Sequence, residues 1–169
     1  TILAVDCPVL MVNDDAPAGP YTHVLQTTDL SDGSANALRQ FPALGIGAQA
    51  KTALVYVFDA PALRLAMRHA MPHTDQDKYL AEAHDDAVRD LAAFTGATGI
   101  GDVRKIVRHS ASTVSNEILK TAAQELADLI VVSTHGRTGL AKFLIGSTAD
   151  QVLSASLTDI LVLPPTRSG

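Results

Sequence analysis

A single cysteine, Cys7, in 169 residues excludes an internal disulfide, the covalent staple on which many small secreted domains depend. No apolar run approaches the roughly 20 residues that cross a bilayer, and the first residues carry neither the basic region nor the apolar core of a secretory leader. A cytoplasmic address with no membrane partner is the resulting expectation. Clusters of lysine and arginine are missing too. Thirteen basic residues stand against 18 acidic ones, for a net charge of −5. That balance excludes the phosphate-neutralising surface of a nucleic-acid binder. No Gly-x-Ser-x-Gly nucleophile elbow occurs, and no Walker lysine follows the glycine-rich loop. His69 and His73 are four apart, as helical metal ligands can be, but Met71-Pro72 interrupts the segment and no third ligand stands at a defined spacing. The expectation is no metal site.

What is present is a chain of 47% apolar and 18% charged residues, the balance of an ordinary globular protein. Its length suits one α/β domain, expected over residues 21–169, after an N-terminal extension over 1–20 whose apolar Cys7 to Val12 could add an extra edge strand. His23 to Thr28 forms the first strand of that domain, and Ser31 or Ser34 caps a helix through Phe41. Lys51 to Phe58 forms the second strand. After it comes Leu63 to Met71, a short helix or an ordered loop, and then a long helix from Asp75 to Phe94, with Leu80, Ala83, Ala87, Leu91 and Phe94 spaced three or four apart. Val103 to Val107, Leu129 to Val132 and Ile160 to Leu163 complete the strands, with helices Val114–Leu126 and Thr148–Ala155 between them. Such alternation implies right-handed crossovers and a doubly wound parallel sheet with helices on both faces, Rossmann-like in architecture.

The most informative stretch is Leu129 to Asp150. Four apolar residues, Leu129 to Val132, read as a strand buried on both faces, and a glycine-rich loop then leads into a helix start. Helix-start N–H groups and the positive end of the dipole favour an anion, so phosphate is the natural ligand. Ser147-Thr-Ala-Asp150 also fits a capping box, which would use the same N–H groups. Asp29, Asp59 and the 133–148 loop all fall at strand carboxyl ends, where ligands lie in open α/β sheets.

Three blocks carry a resemblance. Thr27-Thr28-Asp29-Leu-Ser31 closes the first strand and Leu54 to Asp59 closes the second. Ala127-Asp128-Leu-Ile-Val-Val-Ser-Thr-His-Gly-Arg-Thr-Gly leads on to Gly146-Ser147. Together, over about residues 22–165, they resemble the universal stress protein family. That family's nucleotide signature is a glycine, two residues, a second glycine, nine residues, then glycine with Ser or Thr. Gly136, the nine residues from Arg137 to Ile145, and Gly146-Ser147 match its latter part. Ser133 stands where the first glycine belongs and places a side chain where a backbone would approach a ligand.

The resemblance implies a five-stranded parallel sheet in the order 3-2-1-4-5 and an adenine-nucleotide site, for ATP or AMP with or without Mg. Thr28 and Asp29 would lie near the ribose and adenine, and the Val57 backbone would meet the adenine edge. Gly136, Gly146, Ser147 and Thr148 would cradle phosphate, with Ser133, His135 and Arg137 beside them. For Asp29 an Asx-turn is the competing reading. For Arg137 it is solvent or a dimer contact, and for His135 a structural imidazole. No catalytic residue is identifiable. The implied function is that of a stress-response sensor or regulator acting through conformation or partner binding. The alternatives are a dimeric interaction module that has lost the nucleotide, and a slow ATPase or self-phosphorylating protein. Ile160 to Leu163 would be an apolar edge, suited to a homodimer with the same strand of a second copy unless Pro8 to Val12 covers it.

Overall fold

Apolar runs at Val24-Leu25, Ala53–Val55, Leu129–Val132 and Ile160–Leu163 set the centre of the fold, because each fills a strand covered on both faces. A computed structural model describes residues 7–13, 19–60, 72–101, 103–134 and 146–164. In chain order the elements are β1 (Val9–Met11), β2 (His23–Thr28), α1 (Asp32–Gln40) running into a 3-10 turn (Phe41–Leu44), β3 (Lys51–Phe58), α2 (His73–Thr98), β4 (Arg104–His109), α3 (Val114–Gln124), β5 (Leu129–Ser133), α4 (Ser147–Ala155) and β6 (Asp159–Leu163). The segment 63–71 lies outside the described residues.

The sheet has six strands in the order β1-β6-β5-β2-β3-β4, which corrects the expectation of five parallel strands. Strands β2 to β6 are parallel to their neighbours. The sixth, β1, runs antiparallel to β6 and pairs Val9 with Val162, Leu10 with Leu161 and Met11 with Ile160. The reason is the edge itself. Every residue of β6 is buried, and a bare edge on so apolar a strand would leave its N–H and C=O groups open to any passing chain. The edge through which a homodimer was expected is taken by the chain's own β1, the alternative reading of Pro8 to Val12. Taken without β1, the remaining strands follow the order 3-2-1-4-5 when numbered among themselves.

Helices cover both faces. On one, Ile118 and Ala122 of α3 and Ala149 and Val152 of α4 pack on Leu25, Val55, Ile130 and Ile160, with Val9 and Met11 of β1 reaching the same cluster. On the other, Ala37 of α1 and Phe41 pack on Val24, Leu129 and Val131, while Leu38 and Leu91 pack on Leu54. Among the described residues, no helix is long and apolar enough to cross a membrane.

The helix ends follow local chemistry. Ser31 caps α1, its hydroxyl accepting from the Ser34 N–H at 3.2 Å. Thr113 caps α3 in the same way. Helix α2 runs beyond the expected Phe94 and carries Gly96 inside it, ending only where Gly99 turns left-handed at φ 66°.

Two carboxylates lock the amino ends of the strands. Asp128 accepts from Thr22 N and Oγ1, both at 2.7 Å, and from His23 N at 2.9 Å, tying the start of β2 to β5. Asp159, only 3% exposed, accepts from Asn13 N at 2.9 Å and Tyr21 Oη–H at 2.7 Å, and so holds the chain between β1 and β2. Burial and then the Asp159 contact push the Tyr21 hydroxyl up from 10.0 to about 12.

Candidate functional site

Strand register brings the expected site residues to one end of the sheet. The β2–β3 pairing sets Thr28 beside Tyr56, so Asp29 leaves β2 at the level of Val57, which stays in β3 paired with Arg108 of β4. The β2–β5 pairing ends at Gln26 with Val131, and two residues further along each strand come Thr28 and Ser133. Because β3 lies on one side of β2 and β5 on the other, this is the point where the winding reverses, the place where ligands lie in open α/β sheets.

Around Asp29 the local bonding is dense. Its Oδ1 accepts from Ser31 N at 3.1 Å and Ser31 Oγ at 2.6 Å, which is the Asx-turn reading realised. Thr28 Oγ1 accepts from Leu30 N at 3.0 Å and lies 2.9 Å from Ser34 Oγ. Leu30, between these two bonds, is held at φ 63°, a strained value for a branched residue. One carboxylate oxygen of Asp29 is thus consumed in positioning the loop, and the structure shows no described residue bonded to the other. Val57 is buried at 9% exposure, its side chain in the α3–α4 core.

The loop between β5 and α4 is pinched at its base. Thr134 N donates to Leu163 O at 3.1 Å, and Gly146 N donates to Thr134 O at 2.9 Å, so the chain leaves β5 and returns to α4 at one place. His135, Gly136 and Arg137 lie outside the described residues. The returning residue, Gly146, is the N-cap of α4, at φ −59° and ψ 147°, and no side chain among the described residues caps the helix. The capping box expected from Ser147 to Asp150 is therefore corrected. Asp150 N bonds to the Gly146 carbonyl at 3.0 Å instead, because the Thr134 tie fixes Gly146 one residue earlier as the last non-helical position. Ser147 and Thr148 fall in the first turn, where N–H groups lack intrahelical acceptors. Ser147 is exposed and Gly146 and Thr148 are half-buried.

Sequence reading missed His109, which ends β4 opposite Phe58. Its ring lies 5.4 Å from that of Phe58, and its Nε2 is buried without a partner among the described residues. The signal was its place at a strand carboxyl end beside Asp59. Among the described residues, no group of three or more His, Cys, Asp or Glu side chains is arranged to hold a metal ion.

A doubly wound α/β sheet whose β5–α4 loop is tied at its base defines a small domain of Rossmann-like architecture. The family model for the universal stress protein family matches residues 20–164. The chain belongs to the universal stress protein family. It is 28% identical to a universal stress protein of Methanocaldococcus jannaschii over 144 residues, covering 85% of this chain and 82% of that protein. It is also 29% identical to universal stress protein E of Salmonella typhi over 115 residues, which are 66% of this chain but 34% of that protein. The chain thus spans about a third of the universal stress protein E relatives that it matches. Among solved structures, a hypothetical protein whose biochemical function was assigned from its structure superposes with a TM-score of 0.65 at 23% identity, over 88% of this chain and 99% of the other. A universal stress protein in complex with cAMP superposes with a TM-score of 0.54 at 24% identity, over 88% of this chain and all of the other.

Proposed function

We propose that this chain binds an adenine nucleotide, ATP or AMP, and acts in the stress response as a sensor or regulator through conformation or partner binding rather than turnover. The observation that supports it most is the convergence at the winding switch of two complementary groups. Asp29 keeps a carboxylate oxygen for ribose hydroxyls, and the uncapped start of α4 at Gly146, Ser147 and Thr148 suits phosphate. The Val57 backbone would meet the adenine edge between them, and Ser133, His135, Gly136 and Arg137 would complete the loop side. That a family neighbour is solved with cAMP agrees with this reading. The single free thiol, Cys7, agrees with work in the cytoplasm.

Ser133 favours a second reading, an interaction module of the same fold that has lost the nucleotide, because a side chain there occupies space that a backbone would yield to a ligand. Mass spectrometry of freshly purified, denatured protein separates the two. Co-released adenine nucleotide at near-equimolar level supports binding; a nucleotide-free preparation that also fails to take up added ATP supports the module. Turnover of ATP that survives exhaustive purification, and is lost on substitution of Gly146, would instead make it a slow ATPase.

A further inference from the structure

The α1–α2 face of the sheet carries a polar side chain that the fold itself does not use. Gln26 lies at the middle of β2, between Leu54 of β3 and Val131 of β5, and is 4% exposed. Along a strand alternate residues share a face, so Gln26 points the same way as Val24, into the layer that packs Ala37 and Phe41. No described residue hydrogen-bonds its carboxamide. Among the described residues only His109 Nε2 is a fully buried side-chain polar atom without a partner, so the Gln26 amide keeps access to solvent.

It opens instead on a crevice of about 570 Å³ between α1 with its 3-10 turn and the end of α2. Gln26 and Thr52 form the floor, Leu38 and Phe41 one wall, and Ile100 and Val103 the other. The volume lies within the range of small-molecule sites, and the composition, apolar walls around one polar group, is theirs as well. The mouth is shaped by backbone that needs glycine. Gly47 sits at φ 66°, and a Cβ there would come within 3.0 Å of Val24 Cγ2. Charge is confined to the rim, where the exposed guanidinium of Arg39 is engaged by Asn36 Oδ1. An ionised group carried to the floor would lose its hydration and find no counter-charge.

We propose that this crevice is a second ligand site, for a small, mainly apolar molecule carrying a neutral edge with one donor and one acceptor, as in a carboxamide or lactam. Such an edge pairs with the Gln26 carboxamide through two hydrogen bonds, while the apolar body covers Leu38, Phe41 and Ile100. The site lies at the other end of α1 from Asp29, so it stands or falls independently of nucleotide binding.

The test is a nitrogen-15 NMR titration of the full chain with benzamide and ε-caprolactam, with toluene as the apolar control. Benzamide and caprolactam should shift the Gln26 side-chain NH₂ signals together with the backbone amides of Leu38, Phe41 and Ile100. In Gln26→Leu the affinity for both should fall about tenfold, the worth of a neutral hydrogen-bonded pair, while toluene binds at least as well as before. Gln26→Leu should also melt close to the wild type, since the amide it removes bonds to no described residue; Gln26→Met serves equally if the leucine variant folds poorly. Absence of shifts at these residues up to the solubility limit of benzamide overturns the proposal. Equal affinity of wild type and variant overturns it as well.

Discussion

Gly146 donates its N–H to the carbonyl of Thr134 at 2.9 Å, closing the loop between β5 and α4 at its base. That single bond sets where α4 begins, and so which N–H groups face the end of the sheet. It also separates two roles of glycine. The backbone of Gly146, at φ −59°, is open to any residue, and a Cβ there would meet the Thr134 carbonyl at an ordinary 3.6 Å.

Gly146→Ala should therefore leave stability within about 0.5 kcal/mol of wild type in a urea titration. Gly146→Val should fold as well but bind ATP at least about tenfold more weakly, its branched side chain standing over the helix start. Loss of stability instead would mean that the glycine serves the backbone.

Asp29 has two oxygens with different tasks, and two variants separate them. Asp29→Asn keeps an acceptor for Ser31 and should cost under about 1 kcal/mol of stability, yet lower nucleotide affinity by removing the charge. Asp29→Ala loses the turn as well and should cost about 1–2 kcal/mol. Equal ATP affinity in the wild type and both variants would leave Asp29 a turn residue only.

The two locked amino ends give opposite pH limits. The folded Tyr21 hydroxyl is raised from 10.0 to about 12, so the stability it contributes is complete below pH 10 and lost as the pH climbs through about 12. Tyr21→Phe should flatten that alkaline loss. For Asp128, burial alone would raise the carboxyl, but the Thr22 and His23 bonds outweigh it and hold the group below its usual 3.8. Its contribution is therefore complete above that value and lost as the pH falls below it, and Asp128→Asn should reduce the acid slope. Melting curves from pH 3 to 12 check both, against the ordinary values of 3.8 and 10.0.

The β1 strand is three residues long and covers the edge of β6. Successive N–H groups of a strand point to opposite sides, so prolines at both Val9 and Leu10 remove whichever faces β6. The exposed edge should then pair with a second copy, read as concentration-dependent dimerisation in sedimentation. A variant that stays monomeric at high concentration would show that β1 does not guard against pairing.

Much of this was legible in the sequence, for a definite reason. Buried parallel strands such as Leu129–Val132 carry apolar runs that no solvated strand would, and their alternation with amphipathic helices fixes the winding. The positions of Thr28, Asp29, Val57 and Ser133 at or next to strand carboxyl ends follow, because the apolar runs set where those strands stop. Less legible were features that depend on distant partners. Pro8 to Val12 could be read as a cover for the Ile160–Leu163 edge, but the residues alone do not choose between that and a second copy, since either would satisfy the edge. The α4 start could not be read from Ser147 and Asp150, because the Thr134 carbonyl, twelve residues from Gly146, decides it. Gln26 looked like one more strand residue; its isolation shows only once α1 and α2 leave the crevice open above it.

The most direct test of the nucleotide reading is an isothermal titration of nucleotide-stripped protein with ATP and, separately, AMP, wild type beside Gly146→Val. The account predicts saturable one-to-one binding by the wild type that is lost in the variant while the fold persists. Absence of heat at ligand concentrations well into the millimolar range, or identical binding by both proteins, would contradict it.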